Sequence, residues 1–231
     1  LIGELNAFGV LVLPQATIVL AFVVMAVVLV LRPYGLLGKP ETLAHAAGQV
    51  ELPIRPASNL AKAVAGLLLV GLVVMPFLAG EFAIVLATDV LIFALFAASL
   101  HFIMGNGGMV SFGHAAYFGL GAYGAAFFIK YAGGSMELAL VAAPVMAAAG
   151  AILFGWFCVR LSGVYMAMLT LAAAQIVWSM AFQWQDLTGG DDGLLGIWPS
   201  EWARSKTAYY YLALVLCGGG ILAMRRMIFS P

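Results

Sequence analysis

The sequence is short of charge. Asp, Glu, Lys and Arg make up 9% of its 231 residues against 65% apolar residues, and ten basic side chains balance ten acidic ones. A soluble domain carries about 25% charged and about 45–50% apolar residues. Folded in water, this chain would expose apolar patches large enough to drive association. Its composition is also the opposite of a disordered chain's. Without a basic excess there is no electrostatic footprint for a phosphate backbone, so no nucleic-acid partner is expected. Cys158 and Cys217 are the only cysteines, both inside apolar stretches. A disulfide framework needs more of them, placed in loops, so both read as packed free thiols. His45, His101 and His114 are scattered without paired ligand spacing, and no metal is expected. Strand-like alternation is missing too, which argues against a membrane β-barrel.

Long uncharged runs take the place of all these. They are Phe8–Leu31, Ala63–Ala79, Thr88–Met104, Met109–Ile129, Leu138–Val159, Gly163–Trp184 and Ala208–Met224. Each holds about 17–24 residues, enough to cross a hydrocarbon core about 30 Å thick at about 1.5 Å per residue. Lipid offers no partner for backbone N–H and C=O groups, so the runs must be helices. The expected fold is an all-α polytopic membrane protein with about seven transmembrane helices. The gap Arg32–Lys62 carries Arg32, Lys39, Arg55 and Lys62 with four prolines, and reads as a linker between two membrane units. With Leu1 in first place and no basic stretch leading a short apolar one, a piece of a longer polypeptide is expected.

Orientation follows the distribution of Lys and Arg. If all seven runs cross from an external start, the linker, Arg160 and Arg225-Arg226 fall inside, seven basic residues against three. If Met109–Ile129 dips in and returns, the linker, Lys130, Arg204 and Lys206 fall inside, again seven against three. The rule places the linker in the cytoplasm and leaves the fourth crossing undecided.

Polar groups among these runs mark a pathway or a helix contact. Thr88-Asp89 precedes the clean run Val90–Met104, where Thr88 suits an N-cap and Asp89 the first turn; the other reading is a buried functional acid. Gly105, Gly107 and Gly108 break any helix, and a Gly/Ala-rich run with Ser111, His114, Tyr117 and Tyr123 follows. One reading is a tightly packed helix. The other is a discontinuous helix whose N-terminus faces a watery path, as transporters use to meet a carboxylate. Gly119-x-Gly121-x-x-Gly124 fits a dinucleotide fingerprint but follows no strand. Ser111 and His114 lack the first glycine of a nucleophile elbow and sit three apart on one helix, so no enzyme is expected. Arg160 reads as a snorkelling basic residue. In the sixth run Gln175 and Ser179 share a face and Thr170 is turned away, a pattern for interhelical hydrogen bonds as much as for substrate contact.

Three stretches carry a resemblance. Gly105–Tyr123 holds Ser111-Phe112-Gly113-His114 and Gly119-x-Gly121-Ala122-Tyr123; the second is Arg160-Leu161-Ser162-Gly163-Val164-Tyr165-Met166-Ala167-Met168-Leu169-Thr170-Leu171-Ala172; the third is Leu187-Thr188-Gly189-Gly190-Asp191-Asp192-Gly193-Leu194. In this order and spacing the chain from Ala63 resembles the second permease subunit of the branched-chain amino-acid ABC importers. Leu31–Pro40 resembles the tail of the first subunit, which implies a fused permease: residues 1–40 the last helix and cytoplasmic tail of a first unit, 41–62 a cytoplasmic linker, and 63–231 the N-terminal part of a second unit. His101 stands where that family usually has Asn, and Met166 where it usually has an aromatic. The resemblance implies an importer moving branched-chain amino acids, or urea or small amides, across the inner cell membrane. It implies cytoplasmic ATPase subunits, an external binding protein and another permease unit as partners. No cofactor is expected in this chain, ATP being bound by the ATPases. A coupling segment and further helices are expected beyond Pro231.

It also favours the broken helix and an outward loop. The expected pathway residues are Asn106, Gly107, Gly108, Ser111, His114, Tyr117, Thr170 and Gln175, with Gly108→Leu expected to fill the break. Thr188, Gly189, Gly190, Asp192, Gly193 and Trp198 are expected to face the binding protein. The rival is an ion-coupled secondary transporter, for which Asp89 is the intramembrane acid.

Overall fold

The computed structural model describes residues 3, 4, 7, 17–32, 58–161 and 163–229. Its helices are α1 (Thr17–Leu31), α2 (Asn59–Leu78), α3 (Glu81–His101), α4 (His114–Ala132), α5 (Met136–Cys158), α6 (Gly163–Gln183), the single turn α7 (Gln185–Thr188) and α8 (Lys206–Ile228). A π-helical turn, Phe102–Asn106, prolongs α3. Positions 8–16 of the first expected run, most of the linker (33–57) and Ser162 lie outside the described residues, and with them the expected boundary at position 40.

Helix starts follow local chemistry. Ser58 and Ser205 cap α2 and α8 by accepting from the N–H of Ala61 (3.2 Å) and Ala208 (3.0 Å). Gly133, in the left-handed region, ends α4. The expectation for Thr88 and Asp89 is corrected here. α3 begins at Gly80-Glu81, with Glu81 in its first turn, so Thr88 is not an N-cap. The Thr88 hydroxyl instead donates to Ile84 O at 2.9 Å, and Asp89 lies eight residues in, about 12 Å along the axis.

Contacts at several heights give the helix directions. Ser99 meets His114 near one end of α3 and α4, and Val85 shares a chamber with Ile129 near the other, so these helices are antiparallel. Gly124 faces Met146 and Leu120 faces Gly150, making α4 and α5 antiparallel. Phe112 bonds Thr170 and Tyr131 bonds Leu187, so α6 runs with α4. Lys206 meets Glu81 and Gly220 meets Leu95, so α8 runs with α3. The fourth segment therefore covers the same height as its neighbours.

One end gathers Lys62, Arg160, Arg225 and Arg226 and is called the basic end. Every acidic residue from position 58 onward lies toward the other, acidic end. Among the described residues, five helices are long and apolar enough to cross a membrane, at 59–78, 81–106, 136–158, 163–183 and 206–228, with a shorter apolar helix at Val19–Leu31. α4 packs against α5 and α6, and α6 carries the most buried residues of the helices described.

Burial is sparse and local. Ile84 and Leu91 of α3 pack with Tyr210 and Cys217 of α8, against Leu72 and Met75 of α2. Pro76 has no N–H to donate to the carbonyl of Leu72. The fully buried Tyr210 supplies the missing donor, its hydroxyl reaching Leu72 O at 2.7 Å. Leu29 of α1 joins Cys158 and Leu169 in a second cluster. Both cysteines are free and buried. α2 buries no residue at all, and Leu67, Phe77, Leu78 and Phe82 stand fully outward. In water that surface would associate; in lipid it is matched.

Candidate functional site

The glycine-rich stretch interrupts the helix where expected, and the chain reverses there. α3 runs on through its π turn to Asn106, residues 107–113 are non-helical, and α4 starts at His114. The offset between α3 and α8 sets His101 level with Arg226, so the break lies at the basic end. The extra turn of α3 carries it there, a length that counting apolar residues does not reveal.

Each glycine serves differently. A Cβ on Gly107 would lie 2.6 Å from Ile103 O. Gly108 has φ +61° and open space around it, so bulk there meets nothing and the constraint is the backbone angle. This replaces the expectation that Gly108→Leu fills the break. A Cβ on Gly113 would lie 2.4 Å from Thr170 O. That contact seats the loop on α6. There the Phe112 N–H donates to Thr170 Oγ1 (3.1 Å), and the same hydroxyl donates to Ala167 O (2.9 Å). Ser111 and Thr170 are buried in this seat, and Asn106 is exposed.

His114 and Tyr117 point the other way. They line a cavity of about 530 Å³ between α3, α4, α5 and α8, with Leu91, Phe96, Leu216 and Cys217 among its apolar walls. Ser99 Oγ donates to Phe96 O at 2.7 Å and so accepts from His114 Nε2 at 2.7 Å. That network assigns the proton to Nε2 and leaves Nδ1 buried without a partner among the described residues. The Phe96 ring sits 5.1 Å from the imidazole. The sequence reading missed Ser99, a serine in an apolar run with no periodicity to flag it.

Above this cavity, at the acidic end, a second chamber of about 450 Å³ is lined by Val85, Asp89, Ile129, Ile197 and Arg204. Met136, Leu140 and Tyr209 line both spaces. Together they extend from the acidic end to Ser99 and His114 near the basic end. Asp89 is exposed in this chamber.

Gln175 lies on the opposite side of α4. It lines a groove of about 500 Å³ between α4 and α6, with Ala116, Gly119, Tyr123 and the stacked pair Trp178–Phe182. Ser179 bonds Gln183 within α6, and Gln175 has no hydrogen-bond partner among the described residues. The residue of α6 that bonds the glycine-rich loop is Thr170, the one expected to be turned away from Gln175 and Ser179. The remaining glycines of α4 serve packing. A Cβ on Gly124 would meet Met146 Cβ at 2.5 Å, and one on Gly121 would touch Ala143 O at 3.4 Å, both on α5.

The loop 184–205 is a folded cap. Thr188 is buried, its hydroxyl within 2.5 Å of Ala181 O and 2.7 Å of Trp184 O, and it accepts from Gly190 N. A Cβ on Gly189 (φ +77°) would lie 2.0 Å from Gly193 O. Tyr131 donates to Leu187 O (2.9 Å) and Trp202 to Glu137 (2.5 Å), tying the cap to α4 and α5, and Lys206, the first residue of α8 after it, donates to Glu81 of α3 (2.6 Å). Of the six expected loop residues, Asp192 and Trp198 are outward, and Thr188 and Gly190 are buried.

A family model described as "Branched-chain amino acid transport system / permease component" matches residues 82–224. The high-affinity branched-chain amino acid transport system permease protein LivM of Escherichia coli (strain K12) is 32% identical over 127 residues, 55% of this chain and 30% of that protein. Its namesake in Salmonella typhimurium is 30% identical over the same shares. The matched stretch thus spans under a third of these relatives. No solved structure matches.

Proposed function

The chain belongs to the family of branched-chain amino acid transport permease components, and from that premise we propose that it forms part of the membrane path of an ABC importer for branched-chain amino acids. It performs no chemistry itself. Cytoplasmic ATPase subunits bias the equilibrium between its states through contacts that differ between them. An external binding protein delivers the solute at the acidic end, where Trp198 and Leu195 are the most outward apolar side chains of the cap. The basic end faces the cytoplasm by the charge rule, in the cell inner membrane.

The path runs between the α3–α8 pair and the α4–α5 pair. The observation that carries this is the sharing of Met136, Leu140 and Tyr209 by chamber and cavity, which joins the acidic end to His114 and Tyr117. Its walls are apolar, suited to an aliphatic side chain, with few convergent polar groups.

The test is thiol labelling in the full-length protein assembled with its partners, with Cys158 and Cys217 replaced by alanine. Ala213→Cys lines the cavity and Ala174→Cys the α4–α6 groove. A water-soluble thiol reagent is expected to stop leucine uptake through Ala213→Cys, and added leucine to protect it. Inhibition through Ala174→Cys alone would move the path to the groove.

A further inference from the structure

We propose that the chamber at the acidic end is a receiving site for a zwitterionic amino acid, with Asp89 taking its ammonium and Arg204 its carboxylate. The assignment of branched-chain substrates rests on the function proposed above; the charge arrangement does not.

Three charged side chains, Asp89, Arg204 and Lys206, line this chamber. Neither the Asp89 carboxylate nor the Arg204 guanidinium has a hydrogen-bond or ion-pair partner among the described residues. Lys206, in the same wall, is satisfied by Glu81 at 2.6 Å. The fold therefore pairs the cation that closes its helix ends and leaves a carboxylate and a guanidinium open around one space. Asp89 stands eight residues into an apolar helix, where an unpaired carboxylate is costly. No structural bond within the described residues offsets that cost, and a ligand ammonium would. A guanidinium fork matches a carboxylate with two parallel hydrogen bonds. Val85, Ile129, Leu140 and Ile197 give the same chamber an apolar wall. A volume of about 450 Å³ lies within the range of small-ligand pockets. A solute with one charge meets only half of the site.

The test is equilibrium binding of radiolabelled leucine to the full-length protein in proteoliposomes, with two competitors. One is leucine's amine lacking the carboxylate; the other is its acid lacking the ammonium. Asp89→Asn and Arg204→Gln are each expected to weaken leucine binding at least tenfold. Asp89→Asn should abolish competition by the amine and spare the acid, and Arg204→Gln should do the reverse. Asp89→Glu and Arg204→Lys should restore part of the binding, which separates the roles from misfolding. Unchanged leucine binding in both variants, or equal loss of both competitors in each, overturns the proposal. If the wild-type protein binds another zwitterion with this crossed pattern and no branched-chain amino acid, the site stands and the substrate assignment falls.

Discussion

The two sides of α4 solve opposite problems with similar residues. Toward α6, Gly113 lets the chain touch the backbone of Thr170, and one threonine hydroxyl holds the reversal in place. Toward α3, α5 and α8, His114 and Tyr117 border open space, and Ser99 holds the imidazole. Four of the eight expected pathway residues, Ser111, Thr170, Gly107 and Gly108, shape the turn; His114 and Tyr117 border the cavity; Gln175 faces the groove; Asn106 is exposed. Polarity in a membrane helix thus marks a contact that must be satisfied, and only the neighbour decides whether that contact is structural or open to a solute.

Substitutions can break this contrast. The largest effect is expected from Gly113→Leu, whose Cβ would start 2.4 Å from a carbonyl oxygen. Overpacking against backbone should destabilise by about 2–3 kcal/mol. A lower thermal midpoint in detergent and loss of uptake check it; an unchanged midpoint would mean that the loop is not seated on α6. Next comes Thr170→Val, which keeps shape and removes the acceptor for Phe112 N–H. It should cost about 1–2 kcal/mol and leave the concentration of half-maximal leucine uptake where it was. A shift in that concentration with stability intact would place Thr170 on the path.

Smaller again is Gly108. Because its surroundings are open, Gly108→Ala and Gly108→Leu should cost the same, about 1–2 kcal/mol for a left-handed residue. A much larger loss for leucine in paired denaturation experiments would show that something fills that space. The smallest effect is expected from Gln175→Leu on the groove side, with half-maximal uptake changed less than twofold. A tenfold change would exchange the roles of the two sides.

The acidic-end cap sharpens the same lesson. Thr188 in its loop and Thr170 in α6 each use one hydroxyl to fix a glycine-rich segment. The cap adds ties from Tyr131 and Trp202, with Lys206 directly after it, whereas the reversal at the basic end has no comparable set among the described residues. Segments with fewer such ties open more readily.

Composition alone determined the class of this protein. So few charges and runs of about 20 apolar residues leave only helices in lipid. The glycines at 105, 107 and 108 marked the region of the break, and of the three Gly108 alone has the left-handed backbone that few other residues tolerate. The facing of the helices was decided by tertiary structure. A helix apolar on every side carries no stripe to say which side meets a neighbour, so Ser99, Tyr210 and Gly113 found their partners only in three dimensions. The start of α3 was hidden for a related reason. Asp89 looked like a boundary because charge usually stays out of lipid, yet the fold opens a chamber beside it and keeps the helix continuous.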